Sequence, residues 1–190
     1  GGDRSMKKFV QMALVLCLTL LAVQVSASPY ADKVTLPEGA VITNVNRLAV
    51  GAPLYVQVEN TAPSIEILTQ IVADAARVTR ANVVSYDAVA NGIKESKGID
   101  LKTLPRRDAA KTFKDNVASF ADAYVILTVA NNSRTVFFFD VYRSGSNELL
   151  YTYEVRANST DGNTVATFSN LSEQFYKNWQ RSVEAQNKGK

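Results

Sequence analysis

Which chemistry is open to this chain is decided first by its ionisable side chains. Asp87, Asp100, Asp122 and Asp140 stand far apart in the sequence. Two of them converging would make an acid/base pair for hydrolysis, but their spacing gives no sign that any two meet. There is no histidine, which removes the commonest general base, the Ser-His-Asp arrangement and most zinc sites. The single cysteine, Cys17, lies in an apolar run near the amino end, so the chain beyond it has neither disulfide nor thiol chemistry. Asp161-Gly162-Asn163 is a fragment of a calcium-type loop without the remaining ligands and reads as a turn. Arg106, Arg107, Lys111 and Lys114 interleave with Asp108 and Asp115, the pattern of a solvated helix face. The expectation is a non-enzyme without cofactor or metal.

Binding chemistry is better represented. Residues 134–155, "RTVFFFDVYRSGSNELLYTYEV", contain three consecutive phenylalanines, which must point to both sides of any strand. The turn decides which residues share a side. An even loop would bury Asp140 among aromatics with no basic partner, at a cost. An odd loop, Ser144-Gly145-Ser146 or five residues, puts Phe137, Phe139 and Val141 with Leu149, Tyr151, Tyr153 and Val155 on one apolar face. The pattern selects the odd loop. The other face then carries Phe138, Asp140, Tyr142, Thr152 and Glu154, beside Val136 and Leu150. These form the candidate binding face for a protein partner or a ligand. Either the amino-terminal lead-in or the 156–168 loop is the expected cover if the face is closed.

The elements that hold these residues follow from periodicity. Residues 47–55 read as a first strand bending at Gly51 and Pro53. Ile65, Leu68, Val72, Ala75 and Val78 recur at helical spacing, so 64–79 is a helix introduced by Pro63 and Ser64. Residues 82–86 make a second strand, 88–96 a short helix, and a further helix follows Pro105 with Ala109, Phe113, Val117 and Phe120 on one side. A strand at 123–130 precedes the hairpin. A last helix is expected from Asn170, where Asn170 and Glu173 resemble a capping box and Leu171, Phe175, Trp179 and Val183 share a face. The predicted class is α/β: about five strands in a mixed sheet, helices mainly on one face, order β-α-β-(α)-α-β-β-β-α.

The amino end predicts export. Lys7-Lys8, an apolar run at 12–23 and the small residues of Val25-Ser26-Ala27 make a secretory signal peptide with cleavage after Ala27. The apolar run is shorter than the ~20 residues that span hydrocarbon, so membrane contact is expected only through an uncleaved signal. Cys17 follows Leu16 rather than a small residue, which disfavours lipidation. The division is then 1–27 signal peptide with upstream extra residues, 28–46 irregular lead-in, 47–186 one α/β domain and 187–190 tail. From Ser28 the chain carries 18 Lys and Arg against 17 Asp and Glu, which gives no bulk attraction to nucleic acid.

This order of elements resembles the α/β fold shared by the TolB amino-terminal domain, the curli-secretion lipoprotein CsgG and the penicillin-binding-protein activator LpoB. The residues that carry the resemblance are Leu48-Ala49-Val50, Asn82-Val83-Val84-Ser85, Ala121-Asp122-Ala123-Tyr124-Val125-Ile126 and the hairpin Asp140-Val141-Tyr142-Arg143-Ser144-Gly145. Leu127-Thr128 stands where relatives carry glycine, and the lipobox of many relatives is missing. The resemblance implies a non-catalytic bacterial envelope module that binds or assembles with other envelope proteins. With the signal peptide, the expected place is the periplasm or the cell surface, and a homo-oligomer is one expected form. The alternative is an exported small-molecule or glycan binder using the aromatic face around Phe138 and Tyr142.

Overall fold

The computed structural model describes residues 30–57, 61–131 and 133–190. Ala27 and Cys17 lie outside them. Seven strands form one mixed sheet: β1 (Ala31–Thr35), β2 (Leu48–Val50), β3 (Leu54–Val56), β4 (Val83–Val84), β5 (Ala123–Asn131), β6 (Thr135–Arg143) and β7 (Leu149–Arg156). Four helices accompany them: α1 (Ile65–Asp74), α2 (Tyr86–Lys97), α3 (Arg106–Asn116) and α4 (Val165–Lys188). The strand order is β1-β7-β6-β5-β2-β4, with β3 also pairing with β5. Strands β2 and β3 run parallel to β5, while β5, β6, β7 and β1 are successively antiparallel.

The expected first strand is thus two short ones, separated by the bend at Gly51 and Pro53. A Cβ at Gly51 would meet Ile126 Cδ1, so any larger residue here makes the end of that side chain move.

The expected α/β class holds, and the sheet is larger than five strands. One added strand comes from the segment read as an irregular lead-in: Ala31–Thr35 pairs along β7 as an exposed edge strand. Its alternating charges, Asp32 and Lys33, suit an edge and obscure the strand in the sequence.

One face of the sheet is covered by α1 and α4. Phe137 and Phe139 of β6, Tyr151 and Tyr153 of β7 and Val125 and Leu127 of β5 pack there against Leu68 and Val72 of α1 and Phe168, Phe175 and Tyr176 of α4. Helix α4 begins at Val165, five residues before the expected start, because Thr164 caps it by accepting the Thr167 N–H at 3.2 Å. The earlier start brings Phe168 onto Phe137, with ring centroids 5.0 Å apart. Asn170 is therefore inside the helix.

On the other face, α2 and α3 cover only one end. Ala49 of β2 and Tyr124 of β5 pack there with Val89 and Ile93 of α2 and Phe113 of α3. The helices are thus divided between the two faces.

Candidate functional site

The hairpin that carries the candidate residues reaches the expected division by another route. The Arg143 N–H donates to the Glu148 carbonyl at 2.8 Å, and the Asn147 N–H to the Arg143 carbonyl at 3.0 Å. That leaves four residues in the turn, with Gly145 and Asn147 at φ +88° and +59°. Four is even, but a β-bulge follows: Tyr142 opposes Leu149, whereas Val141 opposes Tyr151. The extra residue restores the phase an odd loop would have given. Phe137, Phe139, Val141, Tyr151, Tyr153 and Val155 are accordingly in the core. The bulge corrects one pair: Leu150, expected outside, is fully buried, and Leu149, expected inside, is 37% exposed.

Phe138, Asp140, Tyr142, Thr152 and Glu154 are all half-buried. The structure places them as a band across β6 and β7, with Phe138 opposite Glu154 and Asp140 opposite Thr152. The Thr152 hydroxyl donates to Asp140 Oδ1 at 2.9 Å. Glu154 pairs with Arg156 at 3.4 Å.

Tyr142 differs from the rest. Its ring stacks on Tyr124 at 5.4 Å, Tyr124 meets Phe113 edge-on at 5.9 Å, and Phe113 stacks on Tyr86 at 5.5 Å. Tyr142 therefore ends an aromatic row belonging to the α2–α3 layer. Burial, and secondarily the adjacent Asp140 charge, push its hydroxyl pKa up. The Tyr124 hydroxyl, pushed to about 12 mainly by burial, donates to Asn147 Oδ1 at 2.6 Å and so anchors the turn.

Among the described residues, neither expected cover lies across the band. Strand β1 extends the sheet, and the chain after it turns to the α4 side, where Ala40 and Ile42 are buried. Gln186 holds it there, accepting from the Ile42 N–H at 2.7 Å and donating to the Ala40 carbonyl at 2.9 Å. Asn163 of the 156–168 loop accepts from Thr135 and Asn131 at 2.6 and 2.9 Å, at the end of the β5–β6 hairpin. Among the described residues the α2–α3 layer reaches Tyr142 and includes neither Phe138 nor Val136.

Two contributors to this open surface escaped the sequence reading. Leu54 and Val56 of β3 are 40% and 49% exposed and stand in register with Thr128 and Ala130, which in turn face Phe138 and Val136. Their alternation with the inward Tyr55 was the available signal. The Tyr55 hydroxyl donates to the Pro63 carbonyl at 2.5 Å.

The four aspartates occupy separate structural positions. Asp87 lies in the first turn of α2. Asp100 accepts from the Lys102 N–H at 3.0 Å and pairs with Lys94 at 3.6 Å. Asp140 is held by Thr152. Asp122 accepts from the Asn46 and Arg47 N–H groups, both at 2.9 Å, and so fixes the entry to β2 against the start of β5. Asp122→Ala is expected to cost about 1–3 kcal/mol in urea unfolding. Asp122→Asn should cost less, because its amide oxygen still accepts.

No family model and no curated protein match the sequence. Several solved structures do. PelC from Paraburkholderia phytofirmans, solved as a dodecamer, is 12% identical over 79% of this chain and 98% of its own, with a TM-score of 0.45. The LpoB C-terminal domain from Escherichia coli is 14% identical over 64% of this chain and 89% of its own, with a TM-score of 0.47. A hypothetical protein from Chlamydia trachomatis is 8% identical over 76% and 96%, with a TM-score of 0.36. LpoB is thus both one of the proteins the sequence resembles and one of these structures. The TM-scores of these three structures all lie below 0.5.

Proposed function

We propose that the chain is an exported, non-catalytic module of the bacterial cell envelope that binds another protein through the open half of its second sheet face. The observation that carries this reading is the apolar strip formed by Leu54, Val56, Val136 and Phe138. Among the described residues, these lie outside the α2–α3 layer, and Leu54 and Val56 are exposed. The strip lies beside Asp140, Glu154 and Arg156, so an apolar centre meets a charged margin, as in protein interfaces. A partner element presenting apolar side chains along a strip suits it. The glycan alternative needs aromatic ring faces free for stacking, and Tyr142 commits one of its faces to Tyr124.

The export part of the proposal rests on the amino-terminal pattern. Among the described residues, no helix is long and apolar enough to cross a membrane.

The test pairs stability with binding. Val56→Ser is expected to change the urea unfolding free energy by less than about 1 kcal/mol, and Phe138→Ser, at a half-buried position, by about 1–2 kcal/mol. The same variants should lose the envelope protein that the unmodified domain captures from its native envelope. A loss of several kcal/mol would make Phe138 a core residue and remove the proposed surface. Unchanged capture by both variants would place the contact elsewhere. Sedimentation of the purified domain separates a second copy of this chain from a different partner.

A further inference from the structure

A second concave site lies on the opposite side of the sheet, where β4 stops after two residues. The short edge strand leaves a cleft of about 400 Å³ between the chain before β2, the 80–82 turn and the carboxyl-terminal half of α4. This is within the range of small-ligand pockets. Val45, Leu48, Trp179 and Val183 provide its apolar lining. The Arg80 N–H donates to Gln180 Oε1 at 3.4 Å, and Lys190 Nζ donates to Thr43 Oγ1 at 2.9 Å, so both flanks are tied to α4 or its end.

The rim decides the ligand class. Asn46 and Asn82, both exposed, stand on the cleft's rim, and no hydrogen bond from their carboxamides occurs among the described residues. Each offers one acceptor and two donors, the complement of a peptide group. Arg80 and Glu184, both exposed, are the only charged residues among its lining, one of each sign, so the lining carries no net charge and favours a neutral occupant. Trp179 is only 4% exposed, with Tyr151 edge-on to it at 5.0 Å, so its ring face cannot serve as a sugar-stacking platform. We infer that the cleft binds a neutral, extended peptide segment, taking one bulky apolar side chain over Val45 and Val183 while Asn46 and Asn82 hold the backbone on either side. This site is separate from the Phe138 strip and stands independently of it.

Trp179 is the chain's only tryptophan and lines this cleft, so its emission follows occupancy where the fold is unchanged. Titration with N-acetyl-Ala-Leu-Ala-amide should change that emission saturably, with half-saturation between about 0.1 and 1 mM. N-acetyl-Ala-Ala-Ala-amide should bind at least tenfold more weakly. Val183→Lys, confirmed as folded by its urea midpoint, should abolish the response, and Asn82→Ala should weaken it at least threefold. A linear or absent response up to about 10 mM would overturn the assignment. So would equal responses to the two peptides, an unchanged response in Val183→Lys, or saturation by N-acetylglucosamine but by neither peptide. Phe138→Ser should leave the titration unchanged, so this test and that of the sheet face fail separately.

Discussion

Replacing Phe175 by alanine is expected to lower the unfolding free energy by about 3–5 kcal/mol, among the largest effects of any single truncation in this chain. Phe175 is fully buried at the middle of α4. Its ring lies parallel to Phe139 with centroids 4.5 Å apart, an interplanar angle of 8°, and meets Tyr176 at 5.0 Å. Tyr151, Tyr153 and Trp179 surround it at 6.3–6.4 Å. Planar side chains fixed on strands β6 and β7 cannot collapse into the vacated space as aliphatic chains partly do. The cost is therefore the lost transfer energy together with an unfilled cavity. A urea series at constant slope would give the difference. Phe138→Ser provides the internal contrast, being the same residue type one position from Phe139 on the opposite side of β6. A Phe175→Ala loss below about 1 kcal/mol would contradict the placement of α4 on the sheet.

The contrast between Phe138 and its two neighbours was legible in the sequence because Asp140 and the alternation of β6 and β7 admit only one phase. What the pattern could not distinguish was an odd loop from an even loop plus a bulge, since both give the same phase. Leu149 and Leu150 are equally apolar, so nothing in their identities says which one is the inserted residue. A similar degeneracy governs α4. Thr164 and Asn170 are both acceptable caps, and the choice is made by Phe168 reaching Phe137, a contact between residues thirty-one positions apart. Strand β1 was hidden because edge strands are selected to look polar. The band at Phe138, Asp140, Tyr142, Thr152 and Glu154 was assembled correctly as one side of the hairpin. Its boundary was not legible, because the row from Tyr86 through Phe113 and Tyr124 to Tyr142 exists only after α2 and α3 have packed.

Above pH 10 the protein is expected to lose stability steeply, and the loss should begin at the β1 edge. Burial pushes the Tyr151 hydroxyl up to about 12; its bond to Ser182 opposes this slightly, and the nearby Asp32 charge adds to it. Tyr153 is pushed further by burial and then by the bond to Asp32, and Tyr176, donating to the Val72 carbonyl at 2.6 Å, by burial. A tyrosine whose pKa is higher folded than unfolded contributes its full stabilisation below about pH 10, where both states are neutral. As pH rises, the unfolded chain releases its proton first, and the contribution is gone once pH passes the folded value. For Tyr151 alone, which has no exposed surface, a rise of about two pH units corresponds to roughly 2–3 kcal/mol. The Tyr153 hydroxyl donates to Asp32 Oδ2 at 2.8 Å and accepts from Asn178 at 3.1 Å, linking β1 to α4. Its deprotonation would set an anion against the Asp32 carboxylate, turning the tether of an exposed edge strand into a repulsion. Urea unfolding at pH 8, 10 and 11 should show the decline, with tyrosinate absorbance and far-ultraviolet ellipticity changing together. Tyr153→Phe should begin less stable at pH 8, because the tether is missing, and should lose less between pH 10 and 11. Independent tyrosine titration near pH 10 with ellipticity intact would show that Tyr151, Tyr153 and Tyr176 are not held as the core packing requires.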